Sequence, residues 1–235
     1  MVSIAPSMLG ADFGSMRAAA ELVSSHSSYL HMDVMDGHFV PNLTMGVDLV
    51  KALKGIAPLD VHLMVTDPLN FIDDFYDAGA EIISVHVEAN NPKESLKRIQ
   101  HKGIKSGIAF NPSTPKNEII PFLDFADMIL VMSVEPGYCG QSFHENAIDR
   151  VNFFKTNYPK KIIEVDGGVS IKNSATLVDN GADIINMSIG YTIPFGTLER
   201  FKQVFVQGFG TKGCEPEVRT EKVINLLRTH IECSH

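Results

Sequence analysis

Residues 29–64 read YLHMDVMDGHFVPNLTMGVDLVKALKGIAPLDVHLM. Two short apolar runs, 29–34 and 59–64, bracket a longer segment of helical period. The same unit recurs along the chain. Apolar, β-branched runs occupy residues 2–7, 29–34, 59–64, 82–88, 105–111, 128–134, 161–166 and 183–189. Their starts lie 22–33 residues apart, the length of one strand, one helix and two loops. The runs hold few charges, as strands covered on both faces should. Eight alternating strand–helix units predict an α/β fold of the (β/α)8 TIM-barrel type. An open doubly wound sheet shares that alternation, but no GxGxxG follows the first run.

Punctuation between the runs supports the helices. Asp67-Pro68 reads as a capped helix start, and Ala78-Gly79-Ala80 as its end. Ser113-Thr114-Pro115 reads as another start, and Asn180-Gly181 as a helix end with glycine past the last turn. The rhythm stops late in the chain. We expect one catalytic barrel over residues 1–207 and a linker plus helical extension over 208–235. Residues 208–216 are rich in glycine, and Val218, Val223, Leu226 and Leu227 give residues 217–230 an amphipathic pattern.

Composition bounds the function. Of 235 residues, 44% are hydrophobic and 20% charged, as in ordinary globular proteins. Acidic residues outnumber basic ones, 28 to 20, for a net charge of −8. That argues against a nucleic-acid binder, though not against a local phosphate pocket. Cys139, Cys214 and Cys233 form no CxxC pair or zinc-ribbon spacing, which suits a reducing compartment. Asp12 and Arg17 break up the early apolar residues, and no run is long enough for a membrane span. The expectation is a cytoplasmic protein with no membrane and no nucleic-acid partner.

Barrel chemistry sits at the C-terminal ends of the strands. Residues two apart on a strand share a face, so His31 and Asp33 can both point into the barrel. The third run offers His62 and the seventh Asp166. A lone interior histidine is often just a hydrogen-bonded core residue, and a lone strand-end aspartate often a helix cap. Two of each, buried without partners, would cost several kcal/mol. One divalent metal ion or mutual pairing is the natural compensation, and mixed N/O donors suit Zn, Fe, Mn or Co. Glycine-rich turns follow the sixth run (Gly137, Tyr138, Cys139, Gly140) and the seventh (Gly167, Gly168). Such turns let backbone N–H groups approach an anion. Met35, Met64 and Met132 stand near strand ends and offer an apolar floor, or simply fill gaps.

Six segments carry a family resemblance: IAPSMLGADF (4–13), HMDVMDGHFVPNLTMG (31–46), LDVHLMVTDP (59–68), ISVHVEA (83–89), VMSVEPGYCGQSF (131–143) and IEVDGGV (163–169). Over about residues 2–205 the chain resembles the ribulose-phosphate 3-epimerase family, which includes the allulose-6-phosphate 3-epimerases. The resemblance implies one divalent metal held by His31, Asp33, His62 and Asp166. It implies that Asp33 accepts the substrate proton and Asp166 donates one, or the reverse in the other direction. It implies substrate contacts from Ser7, His62, Gly137, Tyr138, Cys139, Gly140 and the turn Asp166-Gly167-Gly168. It also sets Met35, Met64 and Met132 around the reacting centre. The implied partner is a small ketose phosphate, D-ribulose 5-phosphate or D-allulose 6-phosphate, and the implied assembly a homo-oligomer, dimer or hexamer.

Two departures fall in the expected phosphate region. Ser188-Ile189 stands where the family has Gly followed by Ser or Thr, and Cys139 stands where it has glycine. Ser188 still offers a hydroxyl and an N–H, whereas Ile189 offers no hydroxyl. An epimerase with a changed phosphate site is therefore a further alternative. Related decarboxylating barrels carry Asp-x-Lys-x-x-Asp at the second strand, and the lysine is absent from Asp33-Val34-Met35-Asp36. A non-catalytic sugar-phosphate-binding barrel would have no need of both carboxylates.

Overall fold

The computed structural model describes residues 2–25 and 27–188. Ile189 and the expected extension at 208–235 lie outside the described residues. Eight parallel strands close into a barrel in chain order: β1 (Ser3–Ser7), β2 (Leu30–Met35), β3 (Leu59–Met64), β4 (Ala80–His86), β5 (Lys105–Phe110), β6 (Met128–Met132), β7 (Ile162–Asp166) and β8 (Ile184–Ser188). Closure comes from β1 against β8, in register from Ser3↔Ile184 to Ser7↔Ser188. Among the described residues, seven α-helices lie between the strands: α1 (Met16–Ser24), α2 (Val47–Ala52), α3 (Ile72–Asp77), α4 (Pro92–His101), α5 (Lys116–Ile119), α6 (Asn146–Asn157) and α7 (Ile171–Asp179). Among the described residues, no helix is long and apolar enough to cross a membrane.

Alternation along the strands sorts the side chains into two cores. On β2 and β3, Leu30, Met32, Val34, Leu59, Val61 and Leu63 face outward into one large apolar cluster beneath the helices. Their neighbours His31, Asp33, Asp60 and His62 face inward. The bottom of the barrel interior is apolar, with Ala5, Ile82, Met128 and Ile184 packed together. Above them, toward the C-terminal ends, the interior turns polar.

That interior has no spare room at Gly107. A β-carbon there would meet Ser84 Oγ at 2.1 Å and Ser84 Cβ at 2.9 Å. We expect Gly107→Ala to cost about 2 kcal/mol through overpacking, which lowers the unfolding temperature by about 4–8 °C in a domain of this size. Thermal unfolding of the variant checks this, and an unchanged midpoint would show that the barrel wall yields.

The helix punctuation differs from expectation in two places. Asp67 precedes a single 3-10 turn, Pro68–Asn70, and its side chain caps nothing; it accepts instead from Asn90 Nδ2 at 2.8 Å. Pro115, not Ser113 or Thr114, is the N-cap of the four-residue α5, because the Thr114 hydroxyl is spent on Glu88. The two helix ends hold: Gly79 and Gly181 follow the last turns of α3 and α7 with φ of +103° and +108°. Strand β4 starts two residues before the expected run and ends at His86 rather than Glu88.

Candidate metal centre and active site

Three strands, β2, β3 and β7, deliver the inward-facing histidines and aspartates. Asp33 on β2 pairs with His62 on β3 in the sheet register, and Met132 on β6 with Asp166 on β7. His31, Asp33, His62 and Asp166 each present one ligand atom, and these atoms lie within 4.8 Å of one another. His62 Nδ1 lies 3.2 Å from Asp33 Oδ1 and 4.0 Å from Asp166 Oδ2. His31 Nε2 lies 3.4 Å from the same Asp33 oxygen. Ser7 on β1 donates to Asp33 Oδ2 at 2.7 Å.

Beyond this cluster, His31 is gripped by groups that spacing alone did not single out. Its Nδ1 lies 2.5 Å from Asp60 Oδ2, 3.1 Å from Asn186 Nδ2 and 3.6 Å from Glu164 Oε1. His31, Asp60 and Glu164 form a second close group beneath the first. The available signal was inward facing: Asp60 is two residues from His62, and Glu164 two from Asp166. A further histidine, His86 on β4, stacks on His62 with ring centroids 5.0 Å apart.

The electrostatics ask for positive charge. Burial alone would lower the His31 pKa, yet the charges of Asp60 and Asp33 hold it well above the ordinary value. Burial would raise the Asp33 carboxyl, but His31 and then His62 hold it well below the carboxylate range. Asp166 is pushed up by burial and then by the Asp33 charge. Glu164 is pushed well up by burial and by Asp60. The fit to a divalent ion rests on one atom above all. Among the described residues, His31 Nε2 is buried without a hydrogen-bond partner, and it lies 3.4 Å from the shared Asp33 oxygen. An orphaned imidazole nitrogen among crowded carboxylates fits a cation, and two nitrogens with two carboxylates suit a borderline metal.

A cavity of about 380 Å³, including space open to solvent, sits above this centre. Asp33, Asp166, Ser7 and Ser188 line it, with Met35, Met64 and Met132 as its apolar wall. Gly137, Tyr138, Cys139, Gly140, Gly167 and Gly168 also line it. His31 and His62 do not; both rings are fully buried behind the carboxylates. The loop after β6 is tied across the mouth, where Asn42 Nδ2 donates to the Gly137 carbonyl and the Tyr138 hydroxyl to the Pro41 carbonyl, each at 2.7 Å. Gly167 has φ +101°, and a β-carbon there would strike Val134 Cγ2 at 2.3 Å. Only glycine allows that turn to pass so close to the loop.

Fold and site together define a (β/α)8 barrel with a mixed imidazole–carboxylate centre under its C-terminal mouth. The ribulose-phosphate 3 epimerase family matches residues 3–191. Ribulose-phosphate 3-epimerase from Schizosaccharomyces pombe is 43% identical over 189 residues, covering 77% of this chain and 83% of that protein. The enzyme of that name from Bacillus subtilis is 36% identical over 213 residues, covering 87% and 97%. A solved mutant tryptophan synthase α-subunit from Pyrococcus furiosus superposes with a TM-score of 0.62 at 17% identity, covering 96% of this chain and 97% of that one. It shares the fold alone. The chain belongs to the ribulose-phosphate 3-epimerase family and is an isomerase of the epimerase type.

Proposed function

We propose that the protein interconverts D-ribulose 5-phosphate and D-xylulose 5-phosphate by moving a proton at C3 between two aspartates. The carrying observation is the placement of Asp33 and Asp166 together at the cavity wall, 4.0 Å or less from one shared imidazole, His62. The names of the relatives supply the substrate class.

Inverting a carbon beside a ketone requires losing its proton and gaining one on the other face. The Asp33 carboxylate takes the C3 proton, and the bonding electrons pass into the carbonyl to give a planar enediolate. Asp166 returns a proton to C3 from the opposite side, and the ketone re-forms. Ser7 steadies Asp33 from its second oxygen. The methionine wall offers the flat intermediate a soft surface without a competing proton donor. Backbone N–H groups of the 137–140 loop and the Gly167-Gly168 turn are the donors we assign to the phosphate, with Ser188 beside them.

His31, Asp33, His62 and Asp166 would hold one divalent ion, whose chemistry is Lewis-acid stabilisation of the developing negative charge. Exhaustive chelation should therefore abolish turnover, and one equivalent of Mn, Co, Zn or Fe ion per chain should restore it. Full activity in protein shown to be metal-free would remove the ion from the reaction.

A further inference from the structure

His62 faces the candidate metal centre through Nδ1, and its other ring nitrogen lies 2.8 Å from His86 Nε2. Two neutral imidazole nitrogens at that distance must be one donor and one acceptor. His86 Nδ1 in turn lies 3.1 Å from Glu88 Oε2. The other Glu88 oxygen accepts from the Asn111 backbone N–H at 2.8 Å and from the Thr114 hydroxyl. Arg150 holds the same corner by donating to the carbonyls of Asn111, at 3.0 Å, and Pro112.

A carboxylate only accepts, and this line meets one at each end, Glu88 at His86 Nδ1 and Asp33 at His62 Nδ1. Asp33 already accepts from Ser7 and faces His31 with the oxygen that His62 meets, so we assign the protons toward Glu88. His86 Nδ1–H donates to Glu88. His86 Nε2 then carries a lone pair and accepts from His62 Nε2–H. His62 Nδ1 is left with its lone pair, aimed at Asp33 and Asp166. A metal-ligating imidazole needs that tautomer, set by the bond its other nitrogen makes. For His31 the distal nitrogen meets Asp60 directly, whereas for His62 the carboxylate acts through a second ring.

We propose that Glu88 and His86 are positioning residues that fix the tautomer of His62 and so prepare its Nδ1 to bind the divalent ion. This rests on the metal reading above. Glu88→Gln is diagnostic because an amide presents one acceptor oxygen and one NH2 group. With the NH2 toward His86, both protons reverse and His62 carries its proton on the ligand nitrogen. With the NH2 toward Asn111, two donors face each other.

The test uses the full chain stripped of metal, with Co2+ alone as probe in competition with a chelator. It also uses two-bond 1H–15N spectra of the histidine rings. Wild type should show His62 protonated at Nε2 and bind one Co2+ ion. Glu88→Gln should shift His62 toward the other tautomer and weaken Co2+ binding by about 10- to 100-fold. His86→Phe keeps a ring between His62 and Phe39 but cannot accept a proton, and should weaken binding similarly. Folded variants that bind Co2+ as tightly as wild type overturn the proposal, even if they melt earlier, because a merely structural role would lower stability alone. A His62 proton on Nδ1 in metal-free wild type overturns it without any variant. Wild type that binds no Co2+ defeats the metal reading first and this inference with it.

Discussion

Asp33→Asn should lower kcat/KM for D-ribulose 5-phosphate by about 1,000-fold, or about 4 kcal/mol of transition-state stabilisation. The amide is isosteric, so Ser7 keeps an acceptor and the strand register is untouched. What disappears is the base itself, together with the charge facing His31 and His62 at 3.4 and 3.2 Å. Unfolding temperature and metal content, measured beside the kinetics, separate loss of the base from loss of the ion. A folded variant within tenfold of wild-type activity would remove Asp33 from proton transfer.

Asp166→Asn should have an equally large effect on epimerisation but a different isotope signature. Asp33 would still take the C3 proton of ribulose 5-phosphate, while no acid would remain on the far face. In D2O the substrate should then exchange its C3 hydrogen with retention about tenfold faster than it inverts. Exchange and inversion slowed in strict parallel would show that Asp166 serves both steps, or neither as an acid.

The barrel was legible because parallel strands buried on both faces must be apolar runs, and the eight runs correspond to the eight strands within a few residues. The candidate centre was legible for the complementary reason: His31, Asp33, His62 and Asp166 are polar residues in runs that are otherwise apolar. Asp60, Glu164, Asn186 and His86 stand in the same runs and face the same way. Spacing tells which face a side chain takes, but not which neighbour it meets across the barrel. Nothing local announces that Asp60 crosses from β3 to His31, or that His86 reaches from β4 to His62.

The misread helix starts have the same origin. Asp67 and Thr114 are residue types that cap helices, yet each is used by a partner more than twenty positions away, Asn90 and Glu88. Long-range polar contacts took precedence over the local ones. The Ser188-Ile189 departure is only half visible: Ser188 lines the cavity, and Ile189 lies outside the described residues.

The most direct test follows the C3 hydrogen itself. Metal-loaded protein is incubated with D-ribulose 5-phosphate in D2O and watched by proton NMR. Two-aspartate epimerisation predicts loss of the C3–H signal together with the appearance of D-xylulose 5-phosphate deuterated at C3. No exchange and no xylulose 5-phosphate, from protein with one metal ion per chain, would contradict the assignment of this ketose to this site, and D-allulose 6-phosphate in the same assay would show whether another ketose takes its place.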